Sequence, residues 1–566
     1  MIMIVTTITQ RRACNSIPPL RGVSWVHKIS LKRARRQHPP QGGNHLRYKI
    51  FQIALALFAL TALLINPTAN AGAPSAKELR AKVRAYRVAH ETQIMQEFIT
   101  LLAIPNVASD TENIRKNAEH IVALLQRRGI KTQLLQAENS PPVVYGELLT
   151  PGAQRTLVVY VHYDGQPVDL AQWRTSPWSP ALYDLPIEAG GKEIALDALP
   201  QKIDPEWRLY ARSTSDDKAP IIALLAALDA LRAANLAPSI NLKFFFEGEE
   251  EAGSDHLREV LEKHKDLLQA DAWLLCDGPV HQTRRPLVYF GARGVCGAEL
   301  TVYGPLRPLH SGHYGNWAPN PALMLARLLG TMRDEDGKIL LEGFYDDVRA
   351  VTPAEQQALQ KAPEVDSQLR RDLALHQTEA NNALLVERLM LPALNVRGLQ
   401  AGGVGNKATN AISAEAIASI DFRLVPEQTP AKVRARLEQH LQQHGYHIVY
   451  ETPEANTRSQ YAKLVKLSWE QGYPPARTAM DLPVSRALVQ VLEETAEAPL
   501  VQLPTVGGSI PMYLFMETLN APVIVLPIAN HDNNQHAANE NIRLQNLWDG
   551  IELYAGVIAR LGKVWK

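Results

Sequence analysis

Cysteine is scarce: Cys14, Cys276 and Cys296 are all that 566 residues contain. That is no disulfide framework and no zinc-finger spacing. Cys276 sits in an apolar run and reads as a buried thiol, with a single Cys276–Cys296 bridge left open for an oxidising compartment. Acidic residues are missing altogether before Glu78, whereas ten Lys or Arg occur between Arg11 and Lys49. The formal net charge of +1 is therefore an average over two unlike parts. Without residues 1–71, 49 basic residues face 58 acidic ones, which argues against nucleic acid as a partner. A long membrane-spanning run is also missing. The most apolar stretch, Ile50 to Ile65, is interrupted by Gln52 and Thr61 and is shorter than the roughly 20 residues a spanning helix needs. Internal repeats and low-complexity tracts are absent too.

What that apolar stretch does resemble is a leader. Arg47 and Lys49 precede it, Asn66-Pro67 breaks it, and Ala69-Asn70-Ala71 fits a small-x-small cleavage site before Gly72. The expectation is a signal peptide over about residues 46–71 and a periplasmic or secreted mature chain with no stable membrane partner. An uncleaved anchor is the alternative. Residues 1–45 fit either a transit segment or a mis-set start codon.

The remaining chain is long enough for more than one domain. Leu157 to Val161 is a β-branched, apolar run ending in His162-Tyr-Asp164-Gly-Gln-Pro167. It reads as a buried parallel strand with a metal-type residue at its carboxyl end, where open α/β sheets bind ligands. Asp164 points the same way as His162 if strand geometry persists and can accept the second imidazole N–H. Asp216-Asp217 precede an apolar helix from Ala219 to Ala234. Capping explains one acid there, not two. A second buried strand, Ile240 to Phe246, ends in Glu247-Gly-Glu249-Glu250-Glu251. Such a cluster repels itself unless a cation or a proton intervenes. A third strand, Ala272 to Cys276, ends in Asp277. A fourth, Val523 to Leu526, leads to His531 and to His536-Ala-Ala-Asn-Glu540. His162, Asp216, Glu251, Asp277 and His536 thus fall at strand ends or a helix start, and a parallel sheet gathers such edges on one side. Two histidines and three carboxylates suit two divalent ions sharing one carboxylate. No His-Glu-x-x-His occurs, which excludes a zincin on that signature.

Helices are expected from Ser75 to about Leu102 and from Thr111 to Arg128, and strands over Lys131–Gln136 and Val143–Leu148. Residues 292–474 mix strand-like runs (Gly297–Tyr303, Ile417–Leu424, His447–Glu451) with helices (Pro321–Met332, Ala431–His444). The expected fold class is α/β, a mostly parallel sheet flanked by helices and interrupted by a smaller α+β domain. The expected division is 75–291, 292–474 and 475–566.

These motifs, in this order, resemble peptidase family M20, particularly its carnosinase-like and dipeptidase members, from about Ser75 to the C-terminus. The resemblance implies a zinc-binding domain interrupted by a lid domain that also dimerises, with two zinc ions per subunit (manganese or cobalt in their place). It implies His162 and Asp277 as ligands of one ion, Glu251 and His536 as ligands of the other, and Asp216 between them. Asp164 stands behind His162, and Glu250 is the general base. His310 of Leu-His-Ser-Gly-His matches a lid histidine that reaches the partner subunit's active site. Arg423 and the Gly507-Gly508-Ser509 loop match groups that bind the substrate's carboxyl end, so Gly508 and Ser509 join the candidate site. The chain departs from the family pattern at Ala211-Arg212-Ser213, where Gly-Arg-Gly is usual, at Lys218-Ala219, where Lys-Gly is usual, and at Thr505-Val506, where an arginine commonly precedes the Gly-Gly-Ser loop.

The implied activity is hydrolysis of an amide bond in dipeptides or short C-terminal peptides by a metal-activated water. A deacylase acting on N-acyl amino acids with the same site is the alternative. A metal-binding assembly protein without turnover is the remote one.

Overall fold

A computed structural model describes residues 74–200 and 202–566. The leader expected over residues 1–71 lies outside them. Among the described residues no helix is long and apolar enough to cross a membrane.

The strands of the two larger sheets, in chain order, are β1 (Lys131–Leu135), β2 (Val143–Leu148), β3 (Thr156–His162), β4 (Asn241–Glu247), β5 (Ala272–Leu275), β6 (Leu287–Tyr289), β7 (Gly294–Tyr303), β8 (Ala393–Gln400), β9 (Glu415–Leu424), β10 (His447–Val449), β11 (Leu464–Tyr473), β12 (Val501–Leu503) and β13 (Val523–Val525). The longer helices are α1 (Ala76–Leu102), α2 (Thr111–Arg127), α3 (Lys218–Ala233), α4 (Pro321–Gly330), α5 (Pro430–Gln443), α6 (Pro483–Thr495) and α7 (Leu544–Val564).

The main sheet has the order β1-β2-β4-β3-β5-β13-β6-β12. Its four central strands, β4, β3, β5 and β13, run parallel. Alternation along β3 splits the core. Leu157, Val159 and Val161 face the layer of α1, α3, α6 and α7, and Val158 and Tyr160 face the opposite side with Trp273 and Phe515. The edge departs from the sequence expectation, because β2 is antiparallel to both β1 and β4. Residues 136–142 are too short for a crossover helix, so the chain can only turn back as a hairpin.

Local signals account for the helix starts. Ser75 and Glu78 form a capping box at α1. Asn320 with Pro321 opens α4, and Thr429 with Pro430 opens α5. A second sheet, β8-β9-β7-β11-β10, is built wholly from residues 294–473. Its core joins Leu300, Val302, Ile420 and Phe422 to Leu325 and Leu328 of α4 and Leu437 and Leu441 of α5. Cys276 and Cys296 are both buried and free, so the bridge left open by the sequence is not formed.

Candidate metal centre and active site

The parallel strands β4, β3, β5 and β13 end on one edge, and the chemistry collects there. His162, the last residue of β3, is fully buried. Its Nε2 lies 2.9 Å from Asp216 Oδ1. Asp216 Oδ2 lies 3.1 Å from His536 Nε2, which is 3.2 Å from Glu251 Oε2. Two trios result: His162, Asp216 and Asp277, and Asp216, Glu251 and His536. Within each, one ligand atom per residue lies within 4.8 Å of the others. Asp216 belongs to both. His536 takes a left-handed φ of 61°, a conformation that a non-glycine residue holds only where its surroundings demand it.

Asp164 does more than the sequence suggested. His162 Nδ1 is 3.2 Å from the Asp164 carbonyl and 3.4 Å from its Oδ1. The two carboxylate oxygens accept the backbone N–H groups of Glu250 and Glu251 at 3.1 and 3.0 Å. One buried carboxylate therefore ties the end of β3 to the acidic loop after β4. Gln166 Nε2 donates to Glu251 Oε2 at 2.7 Å. The acidic cluster itself divides: Glu247 is buried and accepts the Tyr160 hydroxyl, Glu249 pairs with His256, and Glu250 and Glu251 turn to the site.

The charges are strained as a group. Burial pushes the Glu250 carboxyl well above the usual range, and Asp277, Asp216 and Glu251 add to it. Burial, and then Asp216, push Asp277 up to about 7. Hydrogen bonds to Asp216 and Glu251 raise His536 to about 10. Burial opposes charge on Asp216, but His162 and His536 outweigh it and hold its carboxyl low. Oxygen and imidazole donors in this arrangement fit divalent ions, whose charge offsets the repulsion among the carboxylates. Capping does not explain the acid pair: Asp217 at the N-cap of α3 makes no cap bond, and both its carboxylate oxygens are buried without a partner.

Glu540 closes the His536 motif, and its task is not legible from that motif. Its carboxylate accepts the backbone N–H groups of Ser213, Ser215 and Asp216 and pairs with Arg212 at 2.8 Å. It thereby fixes the loop that presents Asp216. Ser213, where the family has glycine, does adopt a positive φ of 61°. Its hydroxyl receives Asn106 Nδ2 and donates to the Asp164 carbonyl, so two side-chain bonds hold the serine in that conformation.

Among the residues matched to carboxylate binding, Arg423 Nη1 donates to Ser509 Oγ at 2.9 Å and its Nε to Asp421 at 3.0 Å. Gly508 accepts the Arg293 N–H. Tyr473, at the end of β11, stacks on Tyr513 at 5.5 Å. Both line a cleft of about 380 Å³ with Glu250 and Arg258. Nothing in the local sequence separates Tyr473 from an ordinary strand residue. His310 stands apart: it is exposed beside His313, its Nδ1 accepts the Gly312 N–H, and among the described residues it shares no hydrogen bond or ion pair with either trio.

A mixed α/β sheet with these donors at its strand ends is the framework of a dinuclear metallopeptidase. The profile of peptidase family M20/M25/M40 matches residues 158–560, and the chain belongs to that family. Among its relatives, the Cys-Gly metallodipeptidase of Schizosaccharomyces pombe is 26% identical over 492 residues, covering 83% of this chain and 96% of the relative. The Beta-Ala-His dipeptidase of Homo sapiens is 26% identical over 542 residues, covering 91% and 99%. An M20 family metallo-carboxypeptidase from Sulfolobus solfataricus superposes with a TM-score of 0.66 at 28% identity, covering 83% of this chain and 99% of that one.

Proposed function

We propose that the chain is a metallodipeptidase that cleaves the amide bond next to a free carboxylate. The observation that carries this reading is the pair of trios sharing Asp216, with Glu250 beside them. His162 and Asp277 would hold one divalent ion, Glu251 and His536 the other, and Asp216 both. When bound, such ions polarise the scissile carbonyl and acidify water. Zinc is the ion the donor set suits best, with manganese or cobalt as substitutes.

Glu250 takes the proton of the attacking water and returns it to the leaving amine. Asp164 keeps Glu250 and Glu251 in place through their N–H groups. Arg423 and Ser509, with the Gly508 turn, receive the substrate's terminal carboxylate. A guanidinium fork suits that anion. The relatives named for dipeptide hydrolysis support the substrate class. We also infer that residues 292–474 form a lid that pairs two subunits and carries His310 to the partner's site. Its exposure, with Trp317 at 78% and Leu306 at 62%, supports this. The leader pattern supports export.

Side-by-side hydrolysis of dipeptides and N-acetyl amino acids tests the reading. Dipeptides are expected to turn over faster. Glu250→Gln is expected to lose roughly 10²–10⁴-fold in kcat with its metal content unchanged. Faster turnover of the N-acetyl amino acids would move the assignment to the deacylase, and equal inactivity of both proteins on both panels would remove the enzyme reading.

A further inference from the structure

Arg293 lies between the two sheets, one residue before β7. It is 7% exposed. Its Nη2 donates to the Leu391 carbonyl at 3.1 Å, and its Nε is buried without a partner. Among the described residues it has no ion pair. A buried guanidinium lacking a carboxylate is costly unless an anion arrives to meet it.

Register puts that charge beside the carboxylate-binding group. Val295 is directly opposite Arg423 in the β7–β9 ladder, and Gly294 is opposite Leu424. Continuing the alternation places Arg293 on the Val295 face, diagonal to Arg423. Its own N–H donates to Gly508 at 3.3 Å, next to the serine that Arg423 contacts. Asp421 is engaged by Arg423 alone, so Arg293 adds an unpaired positive charge near the Gly507-Gly508-Ser509 turn. Burial, and then the charge of Arg423, press the Arg293 guanidinium down to about 10. An incoming anion relieves that pressure. Thr505-Val506 supply no cation from the near side of the turn.

We propose that Arg293 is a second guanidinium for the substrate's terminal carboxylate, acting with Arg423 and Ser509. The ligand class is a short peptide with a free C-terminal carboxylate, so the proposal rests on the dipeptidase reading. A purely structural strut between the start of β7 and Leu391 is the competing role.

Binding separates them. The probes are L-alanyl-L-alanine and its C-terminal amide, titrated calorimetrically into the full-length holoenzyme carrying Glu250→Gln, which binds without turnover. The parent is expected to prefer the acid by about tenfold or more. Adding Arg293→Met is expected to bring that ratio close to one with amide affinity retained, and Arg293→Lys to give an intermediate ratio. Unchanged ratios in both variants, or an equal loss for acid and amide, would overturn the proposal while leaving the dipeptidase reading intact. A parent with no preference would remove both. Should the Met variant fail to fold, the Lys variant decides: a ratio equal to the parent's overturns the proposal, and a fall of about threefold or more supports it.

Discussion

Glu540 never enters either trio, yet it holds the peptide that carries Asp216. Its carboxylate is fully buried, with Arg212 as its ion-pair partner. Glu540→Gln keeps the shape, removes the charge and leaves Arg212 unpaired. The expected cost is roughly 3–5 kcal/mol of stability, with metal affinity lowered roughly 10–100-fold, as for other groups that orient ligands. Thermal unfolding together with zinc titration checks both. Retention of wild-type values would mean that the loop is fixed by other contacts. At this scale the sequence was legible where strand ends and motifs coincide, as at His162 and Asp277. It was opaque for Glu540 and Tyr473, because their roles depend on which distant backbone they meet.

Elements were legible where period and punctuation agree. The starts of α1 and α5 follow from Ser75 and Thr429, and the buried runs of β3 and β4 from their apolar continuity. The direction of β2 was not legible from its own residues. It follows from the length of the connection before it and from its pairing with β4. One element carries a pH dependence. His440 on α5 is buried against Thr331, and its Nε2 lies 2.9 Å from that hydroxyl. Burial, reinforced by His444, pulls it down from 6.5 to about 4. Between those values the unfolded chain binds the proton and the folded one does not, so stability falls as pH drops from about 6.5 towards 4. His440→Gln is expected to flatten that slope in a series of melting curves over this range. An identical slope in wild type and variant would show that other groups govern acid unfolding.

Across the described residues, the proposed site draws on two sheets. The main sheet gathers the metal-type residues and Glu250, while the smaller one brings Arg423 and Tyr473. The gathering of ligands was readable because parallel strands end on one edge. The placement of Arg423 against Ser509 was not readable from spacing, since it depends on how the two sheets meet. His310 lies outside the site of its own chain, which gives the dimer reading a direct consequence. Glu250→Gln and His310→Ala are each expected to be nearly inactive alone. Mixed and re-associated, they are expected to recover about a quarter of wild-type activity, because half of the dimers then contain one intact site. No recovery from mixtures shown to exchange subunits would place His310 outside the partner's site.

The paired centre is the claim on which the rest depends, and metal content measures it. Mass spectrometry of the purified protein, beside His162→Ala and His536→Ala, is the measurement to make. About two divalent ions per chain are expected in the wild type, with fewer in both variants. A wild type that retains no divalent ion after zinc is supplied at neutral pH, or variants that retain the full complement, would contradict the account.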